Sequence, residues 1–411
     1  MTLRSLLWWL GVGLVIGWAA FWIEGLRKGR LETESLWFPV VFRVGIDFDI
    51  NYYGARGWLE GGNPYRSYRT DLWENRYDHP PFVMAMSTAT NLLSRDRALQ
   101  TWLAIQAAIA GLTAYVCYRH RRSLGLVAMP FPLLFAAFAW CHPLVFEMER
   151  GNWNSLVLLL VIAAAWALRR ESLARGAVAG TSIAMAAWIK MYPGLAFFSL
   201  LVLRRRRTAA ICAGVATVIG LASLPYLLDF KESLTSSSAH KPDGFGYCPH
   251  WVHTIGGSWK AVSTTIGLPW LGKAPGVLVW AVIVLPPWML LARRVRALRD
   301  PSRVLLPYLL WVVAAATYLP AIANDYNLLF LVAAMLASWD RRDSWWVHAS
   351  LTAAIVCLQP LGLPLNHTLV WSVKVLALVA VGHSIARRMS EQAVLEAASE
   401  RPAVEVERLA A

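Results

Sequence analysis

Apolar residues run along this chain in blocks near the length a bilayer demands, divided by short polar and charged stretches. The blocks cover roughly 5–23, 98–118, 124–146, 154–168, 176–189, 191–203, 208–228, 270–292, 303–321, 326–338, 345–363 and 367–385. About 20 apolar residues in a helix cross a hydrocarbon core, so the pattern predicts an all-α polytopic membrane protein of about 12 transmembrane helices, several of them short. The first block, Leu6 to Phe21, follows Arg4 as a signal peptide would, but it runs into Trp22-Ile23-Glu24 without a small-residue cleavage site. It reads as a retained first helix. The stretch Pro80 to Leu93, opened by Pro80-Pro81 and closed by Ser94-Arg95-Asp96-Arg97, is too short to cross and predicts a re-entrant or interfacial helix.

Charge gives the blocks an orientation. If Pro80 to Leu93 does not cross, the basic clusters at 119–122, 169–170, 204–207, 293–299, 341–342 and 387–388 all fall on one side with both termini, which is the cytoplasmic side by the positive-inside rule. Arg27, Lys28 and Arg30 run against this assignment. The organisation predicted is one transmembrane unit over 1–388, with a first outer loop at 24–97, a second at 229–267, and a cytoplasmic tail at 389–411 that is helical or disordered. No internal repeat and no separate soluble domain is visible.

Composition agrees with the pattern and excludes other classes. The chain has 411 residues, 57% of them hydrophobic, with 22 Trp and a net charge of +14, and a mean hydropathy of +0.45. The positive charge sits as short clusters between apolar blocks, as loop orientation requires, and not as a nucleic-acid-binding face. Cys117, Cys141, Cys212, Cys248 and Cys357 are scattered without a C-x-x-C pair, so neither a disulfide frame nor a zinc site is indicated.

The polar residues that fit least well with a bilayer gather on the outer side. They are the acid and aromatic stretch Gly45 to Tyr65, the turn Glu147-Met-Glu-Arg150-Gly-Asn152-Trp-Asn154, the interruption Lys190-Met-Tyr-Pro193, the loop 229–267, and Ala323-Asn324-Asp325-Tyr326-Asn327. Three of these elements, together with Tyr77 to Pro81, resemble glycosyltransferase family 87, of the GT-C superfamily. Gly45 to Tyr65 is similar to that family's G-x-D-F-x-x-x-Y-x-x-A-x-x-x-L-x-G-x-N-P-Y, with Asp47 and Phe48 in the D-F slots. Tyr77-Asp78-His79-Pro80-Pro81 is similar to its Y-x-P-P, Gly151-Asn152-Trp153-Asn154 to its G-Q-x-N, and Ala187 to Pro193 to its A-x-x-K-x-x-P. The resemblance covers the first half of the chain and becomes loose after Arg207. It implies a GT-C-like bundle that moves a hexose, by family habit mannose, from a polyprenyl-phosphate donor to a lipid or glycan acceptor at the outer face of a bacterial inner membrane. No nucleotide site or other cofactor is expected, since the Gly-rich stretches follow no strand and open no P-loop.

The chemistry explains why such residues would be wanted. Inverting sugar transfer needs a carboxylate to take the acceptor's proton while a phosphate leaves from the opposite face of the ring. Asp47 is the expected base, its pKa raised by desolvation; the alternative is a cap for a helix starting at Ile50. Asp49 shares its face only in an extended segment, so it is a second acid at most. Lys190, alone between apolar blocks and followed by Pro193, is either a ligand of the donor phosphate or a snorkelling anchor. Arg150 is a second phosphate ligand or the partner of Glu147 or Glu149. His79 is a third. Asn152 and Asn154 either bind sugar hydroxyls or cap the next helix, and Tyr53, Asn63, Tyr65 and Tyr77 join the sugar- or acceptor-binding candidates.

His250 and His253 belong to an acceptor-side loop with Phe245, Tyr247, Trp251 and Trp259; no histidine pair is spaced with a third ligand for a metal. Asp325 stands where related enzymes carry a polar group, often histidine. It is either a further acid of the site or a cap for the helix beginning at Tyr326. A transporter or flippase of sugar or lipid is the rival class, predicting inverted repeats with paired broken helices. An outer-face oligosaccharide ligase is the other rival.

Overall fold

In the computed structural model, residues 2–28, 30–31, 42–67, 77, 79–123, 129–239, 275–319, 325–357 and 367–398 are described, with isolated positions between 259 and 271. Among them the fold is helical except for a two-residue antiparallel pairing of β1 (Arg30–Leu31) with β2 (Phe42–Arg43). The helices fall close to the apolar blocks. They are α1 (Leu3–Lys28), α2 (Ile46–Leu59), α3 (Pro64–Ser67), α4 (Pro81–Ser87), α5 (Arg95–Ser123), α6 (Phe131–Ala139), α7 (His142–Arg150), α8 (Asn154–Ala167), α9 (Leu173–Ile189), α10 (Ala196–Val202), α11 (Arg206–Ala239), α12 (Gly276–Ala297), α13 (Leu305–Thr317), α14 (Leu329–Ser338), α15 (Trp345–Cys357) and α16 (His367–Ala398).

Four of them, α1, α5, α11 and α12, are long and apolar enough to cross a membrane, and α6 with α7 makes a fifth if that pair, bent by 59°, is one span. The chain is a membrane protein. Apolar residues point outward on these helices: Ile16 and Ile23 of α1, Val218 and Leu228 of α11, and Val282 of α12 are each more than 60% exposed. Lipid tolerates such faces, whereas water does not. In the middle lies α13, all of whose residues are buried, with α14 beside it.

Two prolines cut the apolar blocks at the same offset. A proline has no N–H for the carbonyl four residues back and its ring collides with that carbonyl. Pro143 accordingly ends α6 at Ala139, and Pro193 ends α9 at Ile189. After Ile189 the chain turns through Lys190, whose backbone is extended (φ −141°, ψ 121°), into a short 3₁₀ turn at Tyr192–Leu195.

The segment Pro80 to Leu93 forms the seven-residue α4 continued by a 3₁₀ turn at Thr88–Leu92. It packs under α2. At the other end of the chain, the predicted boundary at 388 falls inside a helix, because α16 continues to Ala398.

Candidate active site

Helix α2 starts at Ile46 behind Gly45, which has φ 89°. No side chain caps it, and Asp47 lies within its first turn. The capping alternative for Asp47, which required a helix from Ile50, is therefore corrected. The carboxylate is buried and pairs with the turn between α7 and α8: Arg150 Nη2 donates to Oδ1 at 2.5 Å and Asn152 Nδ2 to Oδ2 at 2.6 Å. That turn reaches Asp47 because Gly151, with φ 66°, reverses the chain after α7; a Cβ on it would lie 2.7 Å from the Cβ of Phe48. Backbone atoms tie the same two segments, Gly45 N donating to the Glu149 carbonyl at 2.7 Å.

The charge environment of Asp47 reverses one expectation. Burial alone pushes the carboxyl up, as the sequence suggests, but the Arg150 guanidinium, by its charge and its hydrogen bond, outweighs burial together with the more distant His79 and Lys190. The carboxyl is held below the ordinary carboxylate value, and the anticipated upward shift is corrected. Arg150 bonds Asp47 while its charge still acts on Glu149 of its own helix.

Glu147 has a different task that the sequence did not disclose. Its buried carboxylate accepts from Ser155 N at 2.8 Å and from Asn154 Nδ2 at 3.0 Å, so it supplies the missing cap of α8. Asn154 Oδ1, set by that bond, accepts from the Tyr192 hydroxyl, which also reaches Asn327 Oδ1 at 3.4 Å. Neither Asn152 nor Asn154 side chain caps α8. Asn152 Oδ1 accepts from the next backbone N–H, that of Trp153, at 2.7 Å.

Asp49, two residues beyond Asp47, points away and receives a bidentate clamp from Arg95, Nε and Nη2 donating at 2.7 and 2.8 Å. His79 sits over a buried aromatic floor. Tyr65 donates from its hydroxyl to the His79 carbonyl at 2.8 Å, Tyr77 donates to Asn51 Oδ1 at 3.2 Å, and Asn51 Nδ2 returns to the Asp47 carbonyl at 2.7 Å. Both tyrosine rings are buried and stack edge to face at 5.3 Å.

The structure therefore brings together Asp47, Arg150, Asn152, Asn154, His79 and Lys190, with Tyr65 and Tyr77 beneath. Tyr53 is exposed, its ring edge to face with Tyr52, and Asn63 is drawn to Asp229 of α11 at 2.7 Å. His250 and His253 lie outside the described residues, as does the side chain of Asp325, whose turn Asp325–Leu328 packs on α7. Among the described residues no three His, Cys, Asp or Glu side chains converge as metal ligands do.

Membrane-crossing helices with a buried carboxylate, amides and cations brought together at the turn between α7 and α8 define a membrane protein with a buried polar site. Residues 77–267, a little under half of the chain, match the family model described as glycosyltransferase family 87, and the match supports a membrane glycosyltransferase of that kind. The matched segment holds His79, Arg150, Asn152, Asn154 and Lys190, and Asp47 lies upstream of it. No curated protein and no solved structure matches the chain.

Proposed function

We propose that the chain transfers a hexose, mannose by resemblance to its family, from a polyprenyl-phosphate donor to a lipid or glycan acceptor with inversion. The observation that carries this reading is the buried Asp47 carboxylate, bound by Arg150 and Asn152 and within the electrostatic reach of His79 and Lys190. A proton acceptor and a set of cations in one cluster are what the two halves of such a transfer need.

In the proposed step the acceptor oxygen bonds to the anomeric carbon as Asp47 takes its proton. The bond from that carbon to the phosphate oxygen breaks, and polyprenyl phosphate leaves with the electron pair. Lys190, Arg150 and His79 bind its oxygens. Arg150 then answers two anions, the carboxylate at rest and the phosphate when donor is bound, and donor binding frees one Asp47 oxygen for the acceptor. Asn152 and Asn154 meet sugar hydroxyls, Tyr192 orients Asn154, and Tyr65 and Tyr77 keep His79 in place. Tyr53, Asn63, His250 and His253 are assigned to the acceptor side, with Asp325 as a further acid.

The same proposal includes about 12 spans with the shorter helices counted, α4 lying at the interface, and the site facing outward from a bacterial inner membrane. The test is transfer by purified protein from radiolabelled polyprenyl-phosphate mannose and, separately, from nucleotide-linked mannose. Product is expected from the first donor only; product from the second alone would overturn the reading. Lys190→Gln should lower kcat by about a hundredfold at unchanged folded yield, since stabilising a departing anion is worth about 3 kcal/mol. A normally active Gln variant would leave Lys190 as an anchor.

A further inference from the structure

A second cluster of cations lies at the opposite end of α5. At about 1.5 Å per residue, Arg121 is about 39 Å along the helix axis from Arg95 and the Asp49 clamp. Arg121 Nη1 donates to the Leu336 and Trp339 carbonyls at 3.2 and 2.8 Å, satisfying the end of α14, while its buried Nε has no acceptor. In α16, Arg387 takes the nearby acids, Nε to Asp343 at 3.0 Å, Nη2 to Asp340 at 3.3 Å, and Nη1 to Glu391.

Arg388 is left in a different state. It is 7% exposed, and none of its three guanidinium nitrogens has a hydrogen-bond partner among the described residues. Asp340 and Asp343 attract it, and Arg121 and Arg387 repel it. His120, buried with an unpartnered Nε2, stands in the field of Arg121, Arg169 and Arg388. Orienting a helix needs charges in water. It does not need a buried guanidinium with five N–H donors and no acceptor.

Beside the cluster a cavity of about 350 Å³ enters between α6, α14 and α15, with Arg121, Arg341 and Asp340 among its polar residues and Leu134, Val332 and Met335 among its apolar ones. Arg121 and Asp340 belong to both features, since they line the cavity and act on Arg388. A cationic group continuous with an apolar slot complements an anionic head on an acyl chain.

We infer that this end of the bundle binds an anionic phospholipid, its phosphate received by Arg388 and Arg121 and one acyl chain by the cavity. None of these residues belongs to the Asp47 cluster, so the inference stands independently of the transfer reaction. The test uses full-length, delipidated protein in detergent, titrated with dihexanoyl phosphatidylglycerol, dihexanoyl phosphatidylcholine or inorganic phosphate and followed by thermal melting and native mass spectrometry. Saturable binding of phosphatidylglycerol is expected, weakened about tenfold or more by Arg388→Gln because charge-assisted hydrogen bonds are lost. Ala137→Trp, which fills the cavity and leaves the cations intact, should weaken phosphatidylglycerol binding similarly. Phosphatidylcholine bound equally well would overturn the role of charge, and inorganic phosphate bound as tightly would overturn the lipid as source. Unchanged phosphatidylglycerol affinity in Arg388→Gln, or in Ala137→Trp if the first variant does not fold, would overturn the site.

Discussion

Asp47 accepts from Arg150 on one oxygen and from Asn152 on the other, so it is ionised at neutral pH and both oxygens are engaged. Asp47→Asn keeps its shape and removes its basicity; folding should survive and transfer should fall by about a hundredfold or more. Retained transfer would remove Asp47 from the chemistry. Arg150→Gln asks a sharper question through pH. With the guanidinium gone, burial is left to push the carboxyl up, so Asp47 protonates at higher pH and the acid limb of kcat/KM moves upward. A limb that stays in place would mean that another group titrates. Residues of this kind were partly legible, because a polar side chain in an apolar context is expensive and therefore conspicuous. Asp47, Arg150, Asn152 and Lys190 stood out in that way. The direction of the Asp47 shift did not, since it depends on a partner 103 residues away. Glu147 passed for a helix-end charge because its capping of Ser155 appears only once the turn at Gly151 has folded.

At the level of elements, one helix gives two neighbouring acids opposite surroundings. Successive residues of α2 are about 100° apart, so Asp47 and Asp49 face nearly opposite ways, the first toward the α7–α8 turn and the second toward α5. Asp49→Asn should therefore lower the melting temperature, since it leaves Arg95 without its bidentate partner, while a substantial part of transfer activity remains. Abolished transfer with normal stability would reverse the roles of the two acids. Glycines in the same region separate similarly. Gly151→Ala combines a left-handed φ, which costs an L side chain about 1–2 kcal/mol, with a collision against Phe48, and both stability and activity should drop. Gly57→Ala, in mid-α2 with open space around its Cβ position, should be neutral or stabilise by up to about 1 kcal/mol. Equal melting temperatures for the two variants would show that the α2–turn contact is not tight. Sequence pattern located these helices, and proline spacing explains where α6 and α9 stop. Which face each helix presents to its neighbour was not legible, because Asp47 and Asp49 sit in one motif and only the helical phase tells them apart.

For the whole molecule, the orientation derived from the basic clusters awaits a direct measurement. In a background with the native cysteines replaced, Ser237→Cys should react with an impermeant thiol reagent applied outside intact cells, and Glu391→Cys should react only after the membrane is opened. The opposite labelling would put the Asp47 cluster on the cytoplasmic side. The all-helical class and most helix positions could be read from the apolar blocks, since bilayers demand satisfied backbones and long apolar stretches. How many of the blocks cross could not, because α8, α10, α13 and α14 are shorter than a span, and α13 and α14 are covered by other protein.

The separation of Asp47 from its partners also has a consequence for biosynthesis. The Asp47–Arg150 pair joins residues 103 positions apart, so at about 5–20 residues per second the ribosome needs about 5–20 s after making the acid before it has made the cation. During that interval α2 carries an uncompensated charge and has no turn to dock against. Nascent chains arrested before residue 150 should therefore leave 46–59 open to protease, and chains extended past Asn154 and free of the ribosome should protect it. Equal protection at both lengths would show that α2 docks without its ion pair. For as long as Arg150 is unmade, the acid end of α2 is a tethered helix waiting for its other half.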